Sequence, residues 1–415
     1  MKVCVLGAGV AGMTSAYFLA RAGHEVTVVE RNAGVALETS YANGGQLSYS
    51  YVAPLAGPGV LPKVPPWLLR RDAPLRFTPR FDYYQWRWCL QFIRACTTYQ
   101  SEITTERLLR LSFYSRELMH SMVAAETLDF GYVRNGKLVF YSDAASYLSA
   151  VRTMEYQQSL GCEQHALDAA ACIALEPALA HVRHELAGGI YTPSEDAGDC
   201  YRFCASLERV LRGLAQPVTF SFSTRVTGFA KEGARIRAAR TDRGDVDAQM
   251  FVVTLGAQAV FVLRPLGIDV PMYPLKGYSL TLPITDERAA PAVSITDHKR
   301  KVVYARLGSE LRVAGMADVT NYRADLDPAR IAVLTSQVQQ TFPGCADYRD
   351  PRPWCGLRPA TPKGTPVLGT TQYDNLLLNV GHGALGFTLA CGCGQIIADL
   401  AAGRAPAISL DGFTL

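Results

Sequence analysis

The chain has 415 residues, 49% of them hydrophobic and 19% charged, which is typical of a soluble globular protein with two or three domains. Its net charge is only +4 and it has no long basic run, so nucleic acid is not expected as a partner. The 11 cysteines are scattered, without a CxxC pair or zinc-ligand spacing. We therefore expect reduced thiols in a cytosolic protein, no metal site and, since the N-terminus starts directly as a strand, no signal peptide.

The first thirty residues predict strand, glycine loop, helix and strand, with a GxGxxG sequence over 7–12. This order is the context that the dinucleotide-binding fingerprint requires. Its glycines permit a tight turn, close approach of a pyrophosphate to the backbone at Val10 and Ala11, and close packing of helix on strand. In chain order these three glycines are Gly7, Gly9 and Gly12.

An acidic residue, Glu30, ends the second predicted strand and is a candidate for hydrogen bonds to an adenosine ribose. It would repel a 2'-phosphate even though Arg31 is adjacent, so NADP is disfavoured. The fingerprint does not separate NAD from FAD.

The segment that follows, 36–54, is small, polar and flexible where an NAD-binding unit would usually enter its next helix. Gly44 and Gly45 would let the backbone lie against a flat ligand. Ser40 and Asn43 offer hydroxyl and amide groups for phosphate or ring-edge contacts. A solvated turn is the alternative interpretation.

A proline-rich connection over 54–80 leads to a predicted helix over 81–95, where aromatic and aliphatic side chains occupy most of the surface. Just before it, the sequence WLLRR over 67–71 is typical of a membrane interface. The helix could lie on a membrane surface, or it could cover an apolar pocket.

Further predicted helices cover 102–127, 144–160, 168–180, 199–214 and 328–342. A hairpin is predicted over 132–141, with its turn at Asn135 and Gly136. The segment 246–259 predicts another strand of the nucleotide sheet, whereas 271–284 and 301–318 predict antiparallel strands of a second domain. The two domains are therefore expected to be threaded through each other.

A run without charged residues, 376–397, is long enough to span a bilayer. Its glycines and asparagine would be costly in lipid, so we predict a buried strand over 376–380, a turn over 381–386 and a helix over 387–402. His382 in the turn is a candidate site residue, which we interpret as hydrogen-bonded near a ligand rather than as a catalytic base.

Arg358 lies in an apolar strand and is the second indication of a ligand. A buried arginine without a partner costs several kcal/mol, so it must have a partner, and its planar guanidinium suits a carboxylate. That carboxylate could belong to a bound molecule or to an acidic residue of the protein.

The motifs occur in one order: GxGxxG with Glu30, then TSYANGGQ, PLKGYSL, CGLRP and NVGHGALGFT. Together they resemble the D-amino-acid oxidase-like family of FAD enzymes, and within it the bacterial D-amino acid dehydrogenase small subunits, over nearly the whole chain. The resemblance implies an α/β fold in which a Rossmann-like FAD domain with a parallel sheet is interleaved with a substrate domain on a mostly antiparallel sheet. The expected domains are 1–60, 162–265 and 345–415 for FAD, and 61–161 and 266–344 for substrate.

The resemblance also implies chemistry: a D-amino acid is oxidised to an imino acid, water gives the 2-oxo acid and ammonia, and electrons pass to a quinone or the respiratory chain, with peripheral contact to the inner face of the cell membrane. FAD is expected to be non-covalent, although Cys355 stands close to where related amine oxidases attach flavin. An amine, glycine or sarcosine-type oxidase that uses oxygen, an NAD dehydrogenase and a non-catalytic subunit are the competing interpretations.

By motif position, the resemblance assigns Arg358 to the substrate carboxylate and Tyr278 to the substrate pocket. Tyr51 keeps an aromatic residue of the family pattern, but Tyr49 and Ser50 depart from it, which leaves the substrate range open. The remaining implied FAD residues, beyond those already named, are Val226 and Gly256 on the adenosine side and Gly383, Leu385, Gly386 and Thr388 at the flavin pyrimidine edge.

Overall fold

The computed structural model describes residues 1–68, 70 and 73–415; Leu69 and Arg71 of the predicted interfacial stretch lie outside the described residues. The helices described are α1 (Val10–Arg21), α2 (Val64–Leu68), α3 (Tyr83–Ala95), α4 (Thr98–Ala125), α5 (Ala144–Ser159), α6 (Ala169–Leu175), α7 (Cys200–Arg212), α8 (Ala259–Leu263), α9 (Pro328–Thr341) and α10 (Gly386–Ala401). Short 3₁₀ turns cover Leu61–Lys63, Pro177–Glu185, Gly256–Gln258 and Arg264–Leu266.

The strands described are β1 (Lys2–Leu6), β2 (Glu25–Val29), β3 (Gln46–Leu47), β4 (Leu75–Phe77), β5 (Lys137–Tyr141), β6 (His165–Leu167), β7 (Gly188–Thr192), β8 (Asp196–Ala197), β9 (Thr219–Ser221), β10 (Val226–Glu232), β11 (Arg235–Thr241), β12 (Gly244–Asp247), β13 (Met250–Val253), β14 (Tyr273–Pro283), β15 (Ser294–Asp297), β16 (Val302–Leu307), β17 (Glu310–Val319), β18 (Arg352–Ala360), β19 (Val367–Thr370) and β20 (Leu376–Val380).

The nucleotide sheet has the order β19-β20-β13-β1-β2-β9 and is parallel except for β19. Its central strand β1 is apolar at successive positions because both faces of the sheet are covered. Val3 and Val5 point into the core beneath α1, α7 and α10, whereas Cys4 and Leu6 point into a second core that includes residues of α8. The predicted Rossmann-like domain is confirmed, including the strand in 246–259.

The second sheet has the order β18-β14-β17-β16-β15-β5-β7-β6, with β4 added beside β17. Most of its pairs are antiparallel; β15 with β5 and β17 with β4 are parallel. The mostly antiparallel second sheet expected from 271–284 and 301–318 is confirmed.

The strands that pair within each sheet do not coincide with the expected domain boundaries. β6, β7 and β18 fall inside the expected FAD segments but pair within the second sheet. Conversely, α4 falls in an expected substrate segment but packs against α10 of the nucleotide domain. We therefore propose that the substrate domain also includes about residues 162–192 and 345–360.

The hairpin predicted over 132–141 is wrong. Gly136 does have the positive φ of a turn, +68°, but the flanking segments pair elsewhere: Val133 bridges Ala197, and β5 lies between β15 and β7. Pairing with strands distant in the chain overrode the local turn signal.

The uncharged run forms the buried strand β20, a turn and the helix α10, as predicted. α10 packs between α1 and α4, where its glycines allow close contact: a Cβ on Gly394 would lie 2.8 Å from the Thr14 carbonyl carbon. In the described part of the chain, no helix is long and apolar enough to cross a membrane.

Candidate active site

One cavity of about 1840 Å³ runs between the two sheets and is lined by nearly every motif that the sequence singled out. Ligand pockets for ordinary small molecules are roughly 300–1,000 Å³. This cavity can therefore hold a ligand of dinucleotide size together with a small substrate. The nucleotide fingerprint lies at one end of this cavity and Arg358 at the other.

The GxGxxG turn forms the first wall. Gly7 has φ +108°, and a Cβ there would meet the Thr254 carbonyl oxygen at 2.9 Å. A Cβ on Gly12 would overlap the Gly7 carbonyl oxygen, so helix and strand pack too closely for a side chain. Gly9 is different: the nearest atom to its Cβ is the Ser40 hydroxyl at 3.5 Å, and the glycine faces the cavity. The turn at Gly7 and the close packing at Gly12 agree with the roles predicted for them, and the approach of a pyrophosphate at Gly9 stays a prediction.

Glu30 lies at the end of β2 and borders the cavity beside this turn. One carboxylate oxygen accepts the Ala8 backbone N–H at 2.9 Å, and the other accepts the Asn32 backbone N–H at 2.8 Å. Arg31 forms an ion pair with Glu38 instead of pointing freely into the cavity. The acid is thus held where an adenosine ribose is expected.

Val226, Gly256, Val10 and Ala11 line the same end of the cavity. Val226 starts β10, and Gly256 follows β13 with φ +53° and open space where a Cβ would stand. The Val10 backbone N–H donates to the Ser40 hydroxyl at 3.0 Å. The structure therefore brings the predicted adenosine-side and pyrophosphate-side residues together.

The segment 43–48 contains residues that the resemblance places along the flavin, and we name it the flavin loop for that expectation. It crosses the cavity face of the second sheet. Arg312 donates to the Asn43 carbonyl at 2.8 Å, and the Gln46 side chain donates to the carbonyls of Ile295 and Tyr304 at 3.1 and 3.0 Å. A Cβ on Gly44 would lie 3.0 Å from a Val303 methyl carbon, so the loop lies flat on the sheet. Gly45 has φ +67°, a left-handed conformation that glycine favours.

The turn before α10 forms the next wall, with Gly383, Leu385, Gly386 and Thr388 lining the cavity. The Thr388 hydroxyl accepts the backbone N–H of Ser48 at 3.0 Å and so joins the turn to the flavin loop. The first amides of α10 have no partner within the helix and can stabilise negative charge.

His382 lies in this turn, buried, with Nε2 2.9 Å from the Asn379 side-chain oxygen. Burial lowers its pKa to about 4, so the ring is neutral near pH 7. This environment matches the interpretation of a hydrogen-bonded turn histidine.

Arg358 stands at the other end of the cavity on β18. Its Nη1 donates to the Met316 carbonyl at 2.7 Å, and its guanidinium lies over Gly277, where a Cβ would be 2.5 Å from Cζ. Burial lowers the pKa of this guanidinium, partly offset by the charge of Asp318. Among the described residues, no carboxylate forms an ion pair with Arg358.

Asp318 does not serve as that partner because other groups surround it. Arg330 and Arg76 both form ion pairs with it, and the Tyr278 hydroxyl donates to it at 3.0 Å. Tyr278 borders the cavity, but its side chain belongs to the hydrophobic core behind the sheet that also contains Leu334 of α9. Gly277 and Tyr278 are consecutive residues of β14, so they face opposite sides of the sheet. Because the Arg358 guanidinium lies over Gly277, the Tyr278 side chain lies on the other side of the sheet from it.

A family model described as FAD dependent oxidoreductase matches residues 2–400 of the chain. The chain belongs to the FAD-dependent oxidoreductase family. This FAD-dependent oxidoreductase is 50% identical over 424 residues to D-amino acid dehydrogenase 2 of Ralstonia nicotianae, with 100% of both chains covered. It is 43% identical over 413 residues to D-amino acid dehydrogenase of Paramagnetospirillum magneticum, covering 99% of this chain and 97% of the relative.

The solved glycine oxidase of Geobacillus kaustophilus has the same fold as this FAD-dependent oxidoreductase. The TM-score is 0.79 over 100% of this chain and 97% of the other, at 19% sequence identity. This likeness confirms the expected architecture of a parallel sheet interleaved with a mostly antiparallel one.

The cavity walls fit FAD. The open face at Gly9 leaves room for a pyrophosphate, Glu30 would accept hydrogen bonds from the ribose, and Gly44 and Gly45 would give the flat surface that an isoalloxazine ring needs. Cys355 also borders the cavity, but its thiol donates to the Ala324 carbonyl at 2.9 Å and burial raises its pKa. This environment does not favour the reactive thiolate that a covalent bond to flavin would require.

Three buried charged residues near the flavin loop escaped the sequence argument: Lys137, Glu195 and Arg312. Lys137 begins an apolar strand, and Arg312 lies within one. The rule that selected Arg358, that a charge in an apolar strand needs a partner, would also have selected these two residues. Tyr51, which was predicted as a site residue, lines the cavity. The centre of its ring lies 4.1 Å from the Lys137 ammonium.

Proposed function

We propose that this FAD-dependent oxidoreductase oxidises a D-amino acid to the 2-oxo acid and ammonia and passes the electrons to a quinone or another respiratory-chain acceptor. One observation carries the substrate assignment: the Arg358 guanidinium borders the cavity, and no carboxylate of the described residues forms an ion pair with it. A planar guanidinium binds a carboxylate through two parallel hydrogen bonds. The names of the relatives support the choice of a D-amino acid.

In this proposal Arg358 orients the substrate by its carboxylate and thereby fixes the direction of the Cα–H bond. FAD, when bound, supplies the acceptor for the Cα hydrogen as hydride. The amides of Gly386 and its neighbours at the start of α10 would stabilise negative charge on the pyrimidine edge of bound FAD. Gly277 contributes by leaving space for the guanidinium.

The zwitterionic substrate must lose one ammonium proton before its Cα hydrogen can leave as hydride. His382 does not serve as the acceptor in this proposal, because its Nε2 is engaged with Asn379 and its pKa is lowered to about 4. Water in the cavity takes the proton, and water then hydrolyses the imino acid.

Anaerobic addition of single amino acids tests the proposed function. We expect at least one D-amino acid to bleach the visible flavin band of the purified protein, and its L-enantiomer to leave the band unchanged, because Arg358 and the flavin loop fix one face of Cα. Absorbance spectra before and after each addition give the answer. A flavin band that no D-amino acid bleaches would remove the central claim.

The oxygen-using oxidase is separated by a second measurement on the same sample. A dehydrogenase reduces an artificial electron acceptor much faster than it consumes oxygen, whereas an oxidase does the reverse. Comparable or faster oxygen consumption would favour the oxidase alternative over transfer to a quinone.

Peripheral membrane contact forms part of the proposal, and α3 supports it. Trp88 on the inner face of α3 is buried and lines the cavity, which agrees with the pocket-covering alternative.

The outer face of α3 exposes an apolar stripe between the exposed arginines Arg80 and Arg94. The stripe consists of Tyr83 (70% exposed), Trp86 (51%), Leu90 (49%) and Ile93 (51%). Exposed aromatic and aliphatic side chains flanked by arginines suit an anionic lipid surface.

Replacing Trp86, Leu90 and Ile93 together with serine is expected to abolish sedimentation with anionic lipid vesicles, because the apolar anchor is lost. Dye reduction in solution should not change, since these side chains face away from the cavity. Leu148→Ser on α5, where the leucine is 56% exposed, is the matched control and should retain vesicle binding. Equal vesicle binding by the triple variant and the parent would contradict the assignment of this surface.

A further inference from the structure

Lys137, the first residue of β5, is a buried cation in the cavity wall. It is 3% exposed, and among the described residues no carboxylate forms an ion pair with its ammonium group. Nζ donates to the Ser48 hydroxyl at 2.8 Å and lies 4.1 Å from the centre of the Tyr51 ring. Burying an ammonium this way is costly, so the position calls for a role beyond packing.

The partner of Lys137 belongs to the flavin loop. Ser48 ends the loop, and its backbone N–H donates to Thr388 in the first turn of α10. At the other end of the loop, Arg312 holds the Asn43 carbonyl at 2.8 Å. The second sheet therefore fixes the loop by a cation at each end. Only at the Arg312 end does the described part of the chain supply a carboxylate in ion-pair contact, Asp199 at 3.0 Å.

Behind Lys137 lies a buried acid, Glu195, which is 1% exposed. One of its oxygens accepts the Ser50 backbone N–H at 2.7 Å, and the other has no hydrogen-bond partner among the described residues. Burial lowers the pKa of Lys137 to about 8 and raises the pKa of Glu195 to about 7, each shift being partly offset by the charge of the other group.

Further ionisable groups lie near this end of the flavin loop: Asp196 pairs in register with Leu47, and its carboxylate contacts Nε2 of His120 at 2.8 Å. Ser294 on β15 and Thr192 on β7 stand beside Lys137 in register, and the titratable phenol of Tyr51 has its pKa raised by burial. Lys137 and Glu195 therefore share this end of the flavin loop with Asp196 and His120, and of these four side chains Lys137 is the one that borders the cavity.

We propose that Lys137 is a positioning residue for the flavin loop whose positive charge makes the bound FAD easier to reduce, and that Glu195 opposes this effect. Reduction adds negative charge to the flavin, and a nearby cation in a water-poor wall stabilises that charge. An ionised carboxylate behind the cation weakens the stabilisation. The inference rests on FAD binding in this cavity and not on the identity of the substrate.

The test is an anaerobic redox titration of the purified holoenzyme with a chemical reductant and a reference dye, without any amino acid. Lys137→Met should shift the two-electron midpoint potential to more negative values, by about 30 mV for each tenfold fall in the equilibrium constant for reduction. Lys137→Arg retains the charge and should stay close to the parent. Glu195→Gln keeps an acceptor for the Ser50 N–H and should shift the potential the opposite way.

Opposite shifts are the decisive result, because structural damage alone would not give two variants of one cluster opposite signs. Equal potentials in all four proteins, or shifts in one direction only, overturn the proposal. Should Lys137→Met fail to retain FAD, Glu195→Gln decides alone: an unchanged or more negative potential overturns the proposal. Because no substrate enters this titration, its outcome is independent of whether the protein oxidises D-amino acids.

Discussion

Arg358→Ala is expected to lower kcat/KM for the preferred D-amino acid by roughly 10²- to 10⁴-fold, since removing one partner of a buried charge pair costs about 3–5 kcal/mol. The loss arises because the substrate carboxylate then lies desolvated in the cavity without a counter-charge. Steady-state dye reduction gives kcat and KM, and the flavin spectrum and Tm show whether FAD and fold are retained.

Two further variants separate charge from geometry at this position. Arg358→Lys keeps the charge but loses the planar fork, so an intermediate loss is expected. Gly277→Ala leaves Arg358 in place, but its new Cβ would stand 2.5 Å from Cζ and push the flexible guanidinium aside. We therefore expect Gly277→Ala to impair kcat/KM while FAD binding stays normal.

A comparison of substrates completes the test. The parent should prefer a D-amino acid over the matching primary amine, which lacks the carboxylate, and Arg358→Ala should lose most of that preference. If the preference survives the substitution, the carboxylate is bound elsewhere and the assignment of Arg358 fails.

Signals that act over short stretches of chain allowed much of the fold to be predicted from the sequence. The GxGxxG turn and the segment from 376 to 402 adopt the predicted elements because glycine conformation, helix periodicity and burial are local properties. The uncharged run was separated from a membrane span by the glycines and the asparagine in its middle. Arg358 could be selected because a charge in an apolar strand needs a partner wherever the strand lies.

Non-local pairing could not be predicted in the same way. The turn at Gly136 carried a hairpin signal, yet β5 joins β15 and β7, which are far away in the chain. That pairing places Lys137 against Ser48, a contact that spans 89 residues and that no motif announces. Tyr278 shows the same limit. Its strand was predicted, but the side of the sheet that its side chain faces was not, because that depends on how α9 packs. On that side the Tyr278 hydroxyl donates a hydrogen bond to Asp318.

Gly12→Ala and Gly9→Ala change the same motif, and both are expected to impair FAD binding, but for different reasons. A Cβ on Gly12 would overlap the Gly7 carbonyl oxygen inside the protein. Overpacking against a rigid backbone costs about 1–3 kcal/mol or more, so we expect a lower Tm and little bound FAD. A Cβ on Gly9 meets only the Ser40 hydroxyl at 3.5 Å, an ordinary contact, and φ there is −71°.

The Gly9→Ala protein should therefore fold normally without cofactor. It should bind FAD at least roughly 10²-fold more weakly, a loss of about 3 kcal/mol in binding free energy. The reason is that the methyl group stands where the pyrophosphate is expected to approach the backbone. Apoprotein Tm and FAD titration by flavin fluorescence measure the two effects separately. Gly34→Ala is the matched control: its Cβ would lie 3.7 Å from Leu37 and outside the cavity, so both quantities should equal those of the parent. Parent-like FAD affinity in Gly9→Ala would show that the pyrophosphate does not lie on this turn, and a parent-like Tm in Gly12→Ala would contradict the packing role of the third glycine.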